Sequence, residues 1–342
     1  MARSLRSRIA LSIIRRKLPS IIGADAVAGL EDGLHVAIVG SGSPLPDESR
    51  GNPCVAVIVG ERVYVVDAGE GSSETLNRMN IDAGRIETVL LTHFHSDHIG
   101  GLGSVNLQRW VSDRTDSPLR VLGPPGVDRV VDGYNEAYAL DATYRTAHHG
   151  AEYVDPANAA MIAESFPVPP DGETNLVLED DGLRITAFEV DHAPVAPVVG
   201  FRFEYRGRSV VISADTVYSD NLVKAARDTD LLIHDALSIE LLMMVSETST
   251  ELGFEARGKI LADVTDYHAT APQAADAAQR AGAKALAITH IVPPLPLKAL
   301  EEVFLDGAPN HYDGPLWLAA DGDLYSLPTT GGLKVSNLIR RR

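Results

Sequence analysis

The ten residues from Thr92 to Gly101 constrain this chain more than any other stretch. They read Thr92-His93-Phe94-His95-Ser96-Asp97-His98-Ile99-Gly100-Gly101 and follow directly on the buried-looking run Thr88-Val89-Leu90-Leu91. In an extended segment, side chains two apart point the same way, so His93 and His95 can grip one divalent ion. Asp97 and His98 come next, as the chain turns, and can reach a second ion beside the first. Gly100 and Gly101 permit close backbone packing where the loop enters a helix. The chain therefore needs a strand that ends at the site and a helix that starts there.

Three imidazoles and one carboxylate cannot close two coordination shells, so further ligands are required downstream. Strand ends provide them: Val190-Asp191-His192, Ile212-Ser213-Ala214-Asp215-Thr216 and Ile288-Thr289-His290. With His268, six of the eleven histidines fall in this scheme. We assign His93, His95 and His192 to a first metal, and Asp97, His98 and His290 to a second. Asp215 bridges both, because a carboxylate has two oxygens and a charge that offsets metal–metal repulsion. Zinc is the expected ion, with manganese or iron as alternatives.

The rest of the chain reads as strands before helices without regular βαβ alternation, which predicts an α/β architecture of two sheets between helical layers. Cys54-Val55-Ala56-Val57-Ile58-Val59 and Arg62-Val63-Tyr64-Val65-Val66 flank Gly60-Glu61 as a hairpin. The alanine-rich stretch Pro272–Ala281 predicts a helix with Gly282 just beyond its end. Residues 132–175 are poorly periodic and read as an inserted cap, with Tyr144, His148 and His149 as candidate substrate contacts.

Charge is unevenly placed. The chain carries −17, but residues 1–20 hold six basic residues and no acid, which leaves −23 for the remainder. Such a body repels polyanions and disfavours nucleic acid as a partner. Residues 1–30 read as a basic amphipathic extension of a domain spanning 31–342, either packed on that domain or a partner, or lying on a membrane surface through residues 1–22. The single cysteine, Cys54, allows no intrachain disulfide and fits a reducing compartment, hence a cytoplasmic protein with the extension as its membrane contact.

The order of motifs resembles the ribonuclease Z branch of the metallo-β-lactamase-fold hydrolases. The resemblance rests on Gly40-Ser41-Gly42-Ser43-Pro44, Arg50-Gly51-Asn52, Asp67-Ala68-Gly69-Glu70-Gly71 and the His93–His98 segment. Val199-Gly200-Phe201-Arg202-Phe203, Ser213-Ala214-Asp215-Thr216, His234-Asp235-Ala236 and His268-Ala269-Thr270-Ala271 continue it. It spans roughly residues 34–292 and implies an αββα sandwich, a homodimer, and a catalytic His268 that serves the leaving or non-bridging oxygen. Two departures stand out. Only 23 residues separate His192 from Asp215, so the arm that holds the tRNA body in bacterial relatives is missing. Asp235 stands where the family has glutamate, which shortens its reach toward His268.

The expected chemistry is hydrolysis by two ions that lower the pKa of a bridging water toward 7, with Asp97 orienting that water. Asp67, at the end of the run Val63–Val66, is a candidate acceptor for a ligand N–H. The acidic body and the missing arm favour a small phosphodiester, phosphate or sulfate ester, of the kind cleaved by arylsulfatase-like relatives. Cyclic amides or lactones, and 3′ processing of RNA, are the alternatives.

Overall fold

The computed structural model describes residues 4–339, and two β-sheets stacked face to face dominate it. The first sheet runs in the order β15 (Lys334–Asn337), β14 (Asp323–Pro328), β1 (Gly33–Gly40), β2 (Cys54–Val59), β3 (Arg62–Val66), β4 (Ile86–Leu90), β5 (Arg120–Gly123), β6 (Ile162–Ser165). The second runs β13 (Leu316–Leu318), β12 (Leu286–Val292), β11 (Leu231–Leu237), β10 (Arg208–Ile212), β9 (Val199–Tyr205), β8 (Leu183–Glu189), β7 (Asn175–Asp180). Each sheet is part antiparallel and part parallel. The parallel runs are β3 to β6 and β10 to β13.

Strand β1 shows why the sequence takes this form. Every one of its residues is buried, because alternate side chains enter different cores. Val36 and Ile38 face the space between the sheets, with Tyr64, Ile185, Phe201, Phe203 and Ile233. Ala37 and Val39 face a helical layer built from α2 (Ser72–Arg78), α4 (Leu102–Trp110) and α5 (Val127–His149), represented by Leu76, Leu102, Val105 and Val131. Between α2 and α4 lies the short α3 (Ser96–Ile99). The outer face of the second sheet is covered by α6 (Asp220–Ala225), α9 (Ala271–Ala281) and α10 (Leu300–Phe304). A helical hairpin, α7 (Ile239–Glu251) and α8 (Glu255–Asp263), projects beyond it. The αββα sandwich expected from the motif order is the observed fold.

Two further readings of the sequence meet the structure differently. Residues 132–175 take in most of α5, from Asp132 to His149, and all of β6, the edge strand of the first sheet, so part of the segment belongs to the framework. Of the 23 residues of α5 only Val127 and Val131 are buried. A helix so exposed needs no apolar stripe, and the absent stripe is what made the segment look aperiodic. The N-terminal helix α1 (Leu5–Ile22) buries none of its residues, so it does not pack on its own domain.

Candidate metal centre

The His93–His98 segment leaves β4 at the C-terminal end of the parallel run of the first sheet, where open α/β sheets hold their ligands. The second sheet supplies the rest. His192 follows β8, Asp215 follows β10, and His290 lies within β12. His290 reaches the site through a β-bulge. Asp235 pairs with Thr289 and Ala236 with Ile291, which leaves His290 as the extra residue. Its backbone is left-handed, φ 47°, as are Asp67 at 58° and Ala214 at 64°. Non-glycine residues in that region cost on the order of 1–3 kcal/mol each and cluster at functional sites.

The assigned side chains converge. Atoms of His93, His95, His192 and Asp215 lie within 4.8 Å of one another, as do those of Asp97, His98 and His290. His93 Nε2 and His95 Nδ1 stand 3.0 Å apart. One oxygen of Asp215 is faced by four imidazole nitrogens: His98 Nε2 at 3.1 Å, His290 Nε2 at 3.1 Å, His93 Nε2 at 3.9 Å and His192 Nε2 at 4.0 Å. His192 Nε2, His290 Nε2 and one oxygen of Asp97 are buried without a hydrogen-bond partner. Orphaned buried polar atoms are costly, and here all point into one cluster, which is the pattern a bound cation resolves. The donor set of imidazoles and carboxylates suits zinc, manganese or iron.

The second ring nitrogens of His98, His192 and His93 are held from behind. His98 Nδ1 donates to Asp67 at 2.8 Å, and His192 Nδ1 donates to the Tyr267 carbonyl at 2.8 Å. The Thr92 hydroxyl donates to the same Asp67 oxygen at 2.8 Å and sits 3.0 Å from His93 Nδ1. Asp67 thus orients His98 directly and His93 through Thr92. This is the function of carboxylates behind metal-bound imidazoles.

His268 stands beside the cluster, and its atoms lie within 4.8 Å of those of Asp215 and His290. Its Nδ1 is 2.9 Å from Asp235, so the shorter aspartate does reach it, contrary to the expectation from side-chain length. The other oxygen of Asp235 lies 3.0 Å from His234 Nδ1. Sequence reasoning assigned no role to His234 or Tyr267. Tyr267 stacks edge-on against the His192 ring at 4.7 Å and tilts against His268 at 4.9 Å. Only the proximity of Tyr267 to His268 in sequence hinted at it. His148 and His149 pack against each other at 4.7 Å, and Tyr144 is 64% exposed; the structure does not bring these three into the clusters.

Electrostatics divide the candidate ligands. Burial lowers His93 well below the ordinary imidazole range, and it lowers His192 too. Burial works against a proton on His98, yet Asp215 and Asp67 carry it well above that range; Asp215 and Asp97 do the same, less strongly, for His290. Burial would raise Asp215, but His290 and His98 hold it well below the usual carboxylate range.

This fold and site define a class. Residues 62–291 match the model of the Beta-lactamase superfamily domain, so the chain is a hydrolase of the metallo-β-lactamase superfamily, whose fold implies divalent metal ions. It is 35% identical to ribonuclease Z of Mycobacterium avium (strain 104) over 290 residues, which cover 84% of this chain and 96% of that protein. Ribonuclease Z of Mycolicibacterium gilvum (strain PYR-GCK) is also 35% identical, over 77% of this chain and 85% of its own. The chain belongs to the ribonuclease Z family. Its fold is shared with human tRNase Z, short form, at TM-score 0.62 and 22% identity, covering 86% of this chain and 99% of that one. It is shared as well with the metallo-β-lactamase-fold protein YhfI of Bacillus subtilis, at TM-score 0.63 and 18% identity, over 86% and 100% of the two chains.

Proposed function

We propose that this chain is a two-metal hydrolase of RNA phosphodiester bonds, acting as its ribonuclease Z relatives are named to act. The observation that carries the reading is the single Asp215 oxygen faced by four imidazoles, with His268 beside it and backed by Asp235. Two divalent ions, zinc by preference, would be held by His93, His95 and His192 on one side and by Asp97, His98 and His290 on the other. When bound, such a pair activates water and polarises the phosphoryl oxygen. The chain's own residues do the remaining work. Asp97 accepts a hydrogen bond from the attacking water and orients it. Asp67 fixes the ring planes of His93 and His98. His268, with Nδ1 engaged by Asp235, keeps Nε2 for a proton that passes to the leaving oxygen.

RNA replaces the small ester favoured by the acidic body and the missing arm. A net charge describes a whole surface, whereas the relatives share sequence across nearly their full length. Two observations still favour a compact aryl phosphodiester or sulfate ester as a second substrate. The body is acidic, and β9 and β10 fill the interval between His192 and Asp215 with a tight turn at Arg206-Gly207. Incubating the zinc-loaded chain with 3′-extended precursor RNA and mapping the products tests the proposal. Cleavage abolished by chelator and by Asp215→Ala is the expected result. Intact RNA, beside rapid turnover of an aryl sulfate, β-lactam or lactone, overturns it.

A further inference from the structure

Helix α1 (Leu5–Ile22) is eighteen residues long, buries none of them, and is left unused by the site. Leu11, Ile14, Leu18, Ile21 and Ile22 recur at helical spacing and share one face, where they are 40–75% exposed. Arg8 and Arg15, seven apart, run along one edge of that face. Arg6 and Lys17, eleven apart and so about three turns, run along the other. The opposite side carries Leu5, Ile9 and Ile13 with Arg16, and the helix holds no acidic residue. Among the described residues no helix is long and apolar enough to cross a membrane.

We infer that α1 lies in the plane of an anionic lipid surface and tethers the hydrolase domain to it. Aliphatic side chains have nothing to stack on in RNA and little to recognise there. Sunk to the acyl boundary, they leave water, while the flanking arginines and lysine extend their stems to lipid phosphates at both edges. The remaining chain carries −23, so an anionic membrane attracts α1 and repels the rest, which keeps the domain off the surface with its site free. The inference does not depend on which ester the site hydrolyses.

The test is sedimentation of the full chain with vesicles of phosphatidylcholine alone, or of phosphatidylcholine mixed with phosphatidylglycerol. Binding to the mixed vesicles only, weakening as salt rises, is expected. Each basic residue near such a surface contributes on the order of fivefold in binding, so Arg8→Gln/Arg15→Gln/Lys17→Gln should lower it by roughly a hundredfold. Leu11→Ser/Ile14→Ser/Leu18→Ser should abolish it, with turnover in solution unchanged in both variants. No binding to either vesicle, equal binding to both, or full binding by either variant overturns the inference. So does a neutralised variant that loses RNA affinity but keeps the vesicles, or an apolar-face variant that turns a dimer into monomer without any vesicle binding in the parent chain.

Discussion

Asp67 touches two of the proposed ligands, His98 directly and His93 through the Thr92 hydroxyl, and it illustrates how single residues set this site. Replacing it with alanine should lower metal affinity on the order of 10–100-fold, the usual cost of removing a carboxylate behind a metal-bound imidazole, measurable by competition with a chelator. Asp215 should matter more. Asp215→Ala is expected to bring the metal content from about two ions per chain toward none and to silence turnover, because both sets lose their shared carboxylate. Fully active parent protein holding one ion would contradict that division. His268→Ala should keep its metal and lose on the order of 10²–10⁴ in kcat, as removal of a positioned acid does; metal loss in that variant would make His268 a ligand. Protons compete with the ions at His98 and His290, whose affinity for protons lies above the ordinary imidazole range. Metal binding must expel those protons, so affinity should fall as pH drops through neutrality, and calorimetry in buffers of differing ionisation enthalpy should register proton release. Affinity independent of pH between about 6 and 8 would be inconsistent with the proton sharing at these two histidines.

At the scale of elements, the parts fixed by short-range chemistry were legible. The Gly60-Glu61 hairpin joins β2 and β3, and the alanine-rich segment is α9, with Gly282 left-handed at its end. Thr270 caps α9 in a reciprocal pair with Gln273, only two residues after His268. Thr270→Ala should cost about 1 kcal/mol in denaturant unfolding. Because the cap also anchors the His268 loop, it should lower kcat at unchanged metal content. An unaltered kcat would show that the loop is held by other contacts, such as the Ala269 amide on Thr216. What the sequence hid was geometry that arises only on assembly. The bulge that re-aims His290 depends on the register of β11 against β12, and the contact of Asp235 with His268 joins residues 33 apart in sequence. Helix α5 escaped notice because an exposed helix carries no apolar period.

For the whole molecule, the side chains that converge as candidate metal ligands could be picked out one strand end at a time, because chemistry restricts which side chains can serve as ligands. The substrate was not readable in the same way. Formal charge sums over surfaces that an RNA substrate would never touch, and a missing arm would remove one means of holding RNA without removing the chemistry. Metal-dependent hydrolysis of RNA is the proposed activity, and kcat/KM decides it. With the zinc-loaded chain, kcat/KM for a 3′-extended precursor tRNA should exceed that for an aryl phosphodiester. A higher value for the aryl phosphodiester, with precursor tRNA left uncut, would contradict it.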